Sequence, residues 1–273
     1  METSPVTSTQ LVALSRNPRS SSGAIESFTK LAICTPSPIA VVHQPHFFPW
    51  LGYFNKLVSA DIFIIQDNVQ FRRGYYQNRT IIRNSQGHPH WLTIPIHAHR
   101  TTLIRDVVVA SQKWADQARK SLRHAYAKAP NFAENFEIVA TALDNNDKYL
   151  VDINERTIAL VLRVLGVPVE IKRASDLTHG ENRTSEVVSA CEKVGARGYI
   201  YGEGGGMQCH PPQAFTERGI PTYRQNFRDC FLKSTLACGL TAPNVSVLEF
   251  LFRFGSSTTR WFTEHCWKVE NKC

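Results

Sequence analysis

From Ile39 onward the chain alternates short apolar runs with helical stripes. Twice it stops a helix with the same device, Gly166-Val167-Pro168 and Gly219-Ile220-Pro221. Glycine takes the left-handed cap conformation and proline forbids continuation, so each device ends a helix and hands the chain to a strand. Residues 39–42, 61–65, 91–96, 169–171, 199–201 and 222–224 read as strands. Helices are expected over residues 50–58, with Pro49 in the first turn, over 184–194, and over 246–254. Two stripes lie between, Trp114, Ala118, Leu122 and Tyr126, then Leu150, Ile153, Thr157, Val161 and Val164. Strands that alternate with helices pair in parallel, because a parallel neighbour needs a crossover long enough to hold a helix. The predicted fold class is therefore α/β, a mostly parallel sheet with crossover helices and an associated helical lobe at about residues 112–165.

Residues 38–255 form the predicted domain, and 256–273 a C-terminal tail. Residues 1–37 are rich in Ser, Thr and Pro, poor in acids and without periodicity, which reads as a disordered leader. A transit peptide is the alternative reading of that leader, and a secretory signal is not, since no compact apolar region follows its first basic residues. No run of about 18 apolar residues occurs, so no spanning helix is expected. Seven cysteines, an odd number with no C-x-x-C pair, argue against a zinc knuckle and a closed disulfide framework. The predicted location is cytoplasmic, or an organelle if the leader targets.

Net charge is +8, which favours anionic partners. Half of that excess lies within residues 41–100, where six lysines and arginines (Lys56, Arg72, Arg73, Arg79, Arg83, Arg100) face two acids. In an open parallel sheet ligands sit at the carboxyl ends of the strands, which nominates three segments. In the first, residues 43–53, a strand end meets a helix start whose N–H groups would favour an anion. Its candidates are His43, Gln44, Trp50 and Tyr53, with Gly52 permitting close approach and Phe47 and Phe48 packing the helix on the sheet. The second, residues 67–79, holds Gln70, Arg72, Arg73, Gln77, Asn78 and Arg79, planar forks and amides suited to an anionic, hydroxyl-bearing substrate. Asp67 there serves either as a general base or as the holder of an arginine. The third carries Gly202, Gly204 and Gly205 after a strand, where backbone N–H groups would point at a phosphate, or where a flexible turn suffices.

Other patterns carry less. His88 with His90 and His97 with His99 are spaced to share a strand face, yet no acid or cysteine accompanies them and no metal is assigned. Arg119, Lys120, Arg123 and Lys128 read as a solvated helix face, and no nucleic-acid signature accompanies them. The residues name no cofactor.

The run QPHFFPWLGYF (residues 44–54), followed by IIQDNVQFRRGYYQNR (64–79), WLTIPI (91–96), Lys-Ala-Pro (128–130), GYIYGEGGG (198–206) and SVLEFLFRFG (246–255), resembles the WbqC-like protein family. The resemblance covers about residues 39–255, and Gln44, Pro45, Pro49, Trp50, Gly52, Tyr53, Asp67, Gln70, Gln77, Asn78 and Arg79 match its motifs. It implies a transferase or related biosynthetic role in O-antigen, other glycan or specialised-metabolite assembly. Where the family tends toward Ser-Gly-Pro-Gly-Gly-Lys after the late strand, Tyr201, Glu203 and Gly206 stand here in place of Ser, Pro and Lys. A phosphate contact through that lysine is thereby missing, and a copy that has lost activity is one reading of the departure. The leading expectation is group transfer on a phosphorylated or nucleotide-activated small substrate, with Asp67 or His43 moving the proton. The alternative is a non-catalytic module that binds anionic glycan or nucleic acid.

Overall fold

In a computed structural model, residues 37–143, 146–178, 183–202, 211–225, 227, 244–255, 258 and 269–270 are described. All belong to one compact unit, Ile33–Cys273. The leader, Gly204, Gly205 and most of the predicted tail lie outside the described residues.

The main sheet is built on β1 (Ile39–His43), flanked by β2 (Ile62–Ile65) and β8 (Gly198–Tyr201) and followed outward by β7 (Glu170–Arg173) and β9 (Thr222–Gln225). These five are parallel, with Val41 paired to Phe63 on one side and Ile200 on the other. A short β10 (Val269–Glu270) adds antiparallel to β9, so the stretch set aside as a tail supplies an edge strand. Taken in chain order, the five parallel strands lie third, second, first, fourth, fifth, which puts the topological switch between β1 and β8.

Alternate residues of β1 serve the two faces. Ile39 and Val41 join one core with Phe63, Ile65 and the helices α1 (Leu51–Leu57), α2 (Trp114–Tyr126) and α4 (Leu150–Val164). Ala40 and Val42 join the other with Ile62, Ile64 and α6 (Arg183–Lys193), where Cys191 is fully buried. Burial on both faces is why β1 reads as a continuous apolar run.

The Gly-x-Pro stops behave as expected. After α4 the Val167 amide donates to the Leu162 carbonyl (2.9 Å) and the Gly166 amide to Arg163 (3.1 Å), with Gly166 at φ 67°. That pair of bonds is the Schellman closure of a helix end. It recurs after α7 (Gln213–Thr216) through Ile220 and Gly219.

The insertion between β2 and β7 differs from expectation in one respect. The predicted third strand is β4 (Pro89–Thr93), which pairs with an unpredicted β3 (Arg79–Arg83) as a separate antiparallel hairpin rather than entering the main sheet. Its turn is local chemistry, with Asn84 Oδ1 accepting from the amides of Gln86 and His88 and Gly87 at φ 83°. Polar flanks hid β3, and Trp91 on β4 is 38% exposed. Two-residue strands β5 (Ile96–His97) and β6 (Val108–Val109) pair beyond it. α2, α3 (Phe132–Thr141) and α4 make up the predicted helical lobe. α5 (Ala174–Leu177) follows β7, and α8 (Val247–Phe254) packs against α3 and β3.

α8 contributes a fully enclosed charge. Glu249 is fully buried, accepts from the Tyr126 hydroxyl (2.8 Å), and pairs with Arg253 (2.5 Å) and Arg83 (3.9 Å). Among the described residues no helix is long and apolar enough to cross a membrane.

Candidate functional site

β1 ends at His43, beside the end of β8, at the switch point where an open α/β sheet leaves a crevice. The Gln44 carbonyl lies 2.9 Å from His43 Nδ1 and accepts the Tyr53 hydroxyl at 3.0 Å. With the proton on Nδ1, His43 Nε2 keeps its lone pair. The Gln44 side chain reaches the other way, its Oε1 accepting from Gln77 Nε2 at 2.8 Å. Gln77 is fully buried and its Oε1 accepts the Arg72 amide (2.8 Å), while Asn154 of α4 donates to the Gln77 carbonyl (2.8 Å). Phe47 donates its amide to the Tyr76 carbonyl (3.1 Å). The Gln-Pro turn and the arginine-rich loop are thus stitched together side by side.

The turn is held in an unusual backbone conformation. Phe48 has φ 37°, the left-handed region that costs a residue other than glycine on the order of 1 kcal/mol or more. Its carbonyl accepts two hydroxyls, Thr80 (3.0 Å) and Ser246 (2.9 Å). Phe47 and Phe48 are core, as packing residues should be. α1 begins one residue later than expected, at Leu51, with Trp50 as its cap and Pro49 before it. The helix has only seven residues, and Trp50 and Phe227 crowd its first turn, so positive charge here comes from side chains.

Gly52 is approached closely, though by protein. A Cβ there would stand 2.7 Å from Phe227 and 3.0 Å from Trp50 Nε1. Gly52→Ala is expected to cost about 1–3 kcal/mol and to displace Trp50, read as a lower urea midpoint and an altered tryptophan emission. An unchanged emission and midpoint would contradict this packing.

Rings line the way outward. His46 packs on Trp50 (5.2 Å between centroids) and Tyr75 (5.3 Å), Trp50 on Tyr76 (5.1 Å), and Tyr76 on Trp91 (5.6 Å). Two guanidinium groups sit on this wall, Arg79 over Trp91 at 3.9 Å and Arg72 over Tyr75 at 5.0 Å. Arg79 also donates to the Gly74 carbonyl. None of the three loop arginines pairs with a carboxylate among the described residues.

Other predicted residues go elsewhere. Arg73 donates to the Ala98 carbonyl (2.6 Å) and Asn78 to Ile94 (2.9 Å), and both line a separate cleft of about 220 Å³. Gln70, exposed, donates to the Arg100 carbonyl. Asp67 is fully buried, its carboxylate accepting the amide (2.9 Å) and hydroxyl (2.7 Å) of Ser175. It borders a cavity of about 680 Å³ over the ends of β2 and β7, shared with Arg105, Glu155, Arg173 and Asp176. Asp67 therefore holds a serine, where the sequence offered a general base or the holder of an arginine. The four histidines around β4 and β5 are exposed. Among the described residues no group of three or more His, Cys, Asp or Glu is placed to hold a metal.

The residue that sequence reasoning passed over is Lys56, counted there only as charge. Every residue of α1 is buried, and Lys56 is 6% exposed. Burial lowers its pKa to about 7. A Cβ on Gly202 would lie 3.4 Å from its Nζ and 3.5 Å from Gln225 Oε1. Gln225, from β9, donates to the Gly52 carbonyl (2.6 Å) and to Asn55 Oδ1 (2.8 Å), bracing α1 against the sheet. Burial, with the Lys56 charge added, pushes the His46 pKa down to about 3. Burial and then the charges of Lys56 and His46 hold His43 well below its usual value, against a smaller opposing effect of the Gln44 carbonyl. Burial raises the Tyr53 phenol well above its ordinary value, so it stays a donor. The available signal was position, since Lys56 lies three residues after Tyr53 in an otherwise inward-facing helix.

The model of the WbqC-like protein family matches residues 44–261, most of the chain. The chain belongs to the WbqC-like protein family. The match opens at Gln44, the first residue past β1, and takes in both stitched loops and β8. "Uncharacterized protein Rv1507c" of Mycobacterium tuberculosis (strain ATCC 25618 / H37Rv) is 26% identical over 223 residues, covering 80% of this chain and 94% of that protein. No solved structure matches the chain.

Proposed function

We propose that this WbqC-like protein is a biosynthetic transferase, moving a group to or from a phosphorylated or nucleotide-activated small substrate in glycan or specialised-metabolite assembly. The observation that carries this reading is the continuous wall of rings from His46 to Trp91, bearing Arg72 and Arg79 and joined to the sheet end by the Gln44–Gln77 bond. A flat base or sugar face stacks on Trp50 and Tyr76, and the guanidinium forks take the phosphate oxygens. Gln44 and Gln77 fix the register of the two loops. His43, uncharged at neutral pH, accepts a proton through Nε2. Asp67, engaged with Ser175, has no part in this proton transfer.

Calorimetric titration with nucleotide sugars and nucleoside triphosphates tests the reading. Arg79→Ala is expected to weaken the best binder by roughly tenfold or more, about 1.4 kcal/mol. Equal affinity of wild type and variant would remove the clamp. A pocket for one small ligand predicts a shallow salt dependence. A log–log slope of several units toward polyanions would favour the non-catalytic module instead.

A further inference from the structure

We propose that the groove between the β3–β4 hairpin and α2 is a second ligand site, which takes an organic phosphate monoester with its apolar group on the groove floor. It stands on the reverse of the hairpin from the ring wall and does not depend on the transfer reading.

Strand alternation separates the two faces. Ile82 pairs directly with His90 across the hairpin, so both side chains fall on one face. Ile81 pairs with Trp91, and Arg79, two residues before Ile81, shares that opposite face and lies over the Trp91 ring. On α2, Ser121, His124 and Ala125 are one turn apart and share one side of the helix. The two surfaces enclose about 450 Å³, with Asn84 and Lys120 completing the lining. That volume is within the roughly 300–1,000 Å³ of small-molecule sites. Ile82 is buried and Ala125 half-buried, which gives the groove an apolar floor, and His90, Lys120 and His124 are exposed around it.

The acids nearest these elements are engaged elsewhere. Asp116 holds Arg119 (3.0 Å), Glu137 pairs with Arg123 (3.9 Å), and Glu249 pairs with Arg83 and Arg253. Among the described residues His90, Lys120 and His124 make no ion pair, and no carboxylate lines the groove. Asn84 commits its Oδ1 to the amides of Gln86 and His88, which leaves its amide nitrogen as a donor.

An ammonium, two imidazoles and an amide donor around an apolar floor disfavour a cation and favour an amphipathic anion. A phosphate monoester brings three acceptor oxygens and about two negative charges at neutral pH. That is enough to meet Lys120 and an N–H of each histidine at once, through charge-assisted bonds. A carboxylate has one oxygen and one charge fewer. A polyanion laid along α2 is the competing occupant. It would leave the floor unused, and the arginines that would extend its track, Arg119 and Arg123, already have acidic partners.

Histidine footprinting of the full-length protein tests this, with diethyl pyrocarbonate as the label and peptide mass spectrometry reading each imidazole. His97 and His99, exposed and outside the groove, are internal references. The probe is 1-naphthyl phosphate, with 1-naphthol and inorganic phosphate as its two halves. At roughly ten times the probe's midpoint, labelling of His90 and His124 is expected to fall about tenfold, in step with the free fraction, while the references are unchanged. Neither half should protect at that concentration. Lys120→Gln should raise the midpoint roughly tenfold, and Arg79→Ala, on the opposite face, should leave it unchanged. Unprotected His90 and His124 overturn the site. So does equal protection by inorganic phosphate, which would mean an adventitious ion only, or protection by an oligonucleotide and not by the probe, which would mean a polyanion track. Protection that Lys120→Gln leaves intact, or that Arg79→Ala abolishes, overturns it too. Nucleotide binding at the ring wall with both histidines unprotected would remove the groove alone.

Discussion

Replacing Lys56 by methionine is expected to make the protein more stable at pH 7, by as much as roughly 5 kcal/mol. The sign follows from where the proton sits. Lys56 titrates at about 7 in the folded protein against 10.5 in an ordinary setting. Between those values the unfolded chain binds the proton and the folded one does not, so wild-type stability should climb as pH rises from about 7 toward 10.5. Above that window the amine is neutral in both states and the penalty disappears. Methionine is of similar length, never charges, and should show no such climb. The advantage of Lys56→Met is therefore greatest at or below neutrality and fades in alkali. Urea unfolding of both proteins at several pH values measures it, and parallel, superimposed profiles would mean that the amine is not destabilised by burial. A charge kept at such cost is the pattern expected where activity and stability conflict.

The opposite outcome is expected at Glu249. Truncation to alanine should cost about 1–3 kcal/mol, because the buried Tyr126 hydroxyl is left without its acceptor. Tyr126 loses its buried acceptor, and Arg83 and Arg253 each lose an ion pair with the carboxylate. Glu249→Gln should cost less, since an amide oxygen still accepts from the Tyr126 hydroxyl. The effect should reach the site. Arg83 closes the strand that begins at Arg79, and Ser246 at the start of α8 holds the Phe48 carbonyl. Denaturation midpoints for the two variants, with calorimetry on Glu249→Gln, separate loss of fold from loss of binding. Equal midpoints for wild type and Glu249→Ala would show that the network carries no stability.

What could be read from the chain divides along a physical line. Helix stops at Gly166 and Gly219 are settled by a few neighbouring dihedrals and bonds, and β1 declares itself because both its faces are covered. The loops around Gln44 and Gln77 were recognisable by residue type, and they do meet. The hairpin of β3 and β4 escaped because its half-exposed strands carry arginine and histidine among their apolar positions. Asp67 was a visible carboxylate, but its partner Ser175 is 108 residues away, and no local pattern announces such a pairing. Lys56 escaped for a related reason. A lysine is read as solvated until its neighbours are known, and those neighbours come from β1, β8 and β9.

The position of β1 also has a bearing on biosynthesis. Among the described strands the one made first is central, and one of its two flanking strands, β8, is translated much later. While the ribosome is still adding that final third, His43 and Lys56 have only the β2 side in place, and an apolar edge stands open to water. Chaperone capture of the nascent chain, and sensitivity to truncation near the C-terminus, would both follow from that order of manufacture.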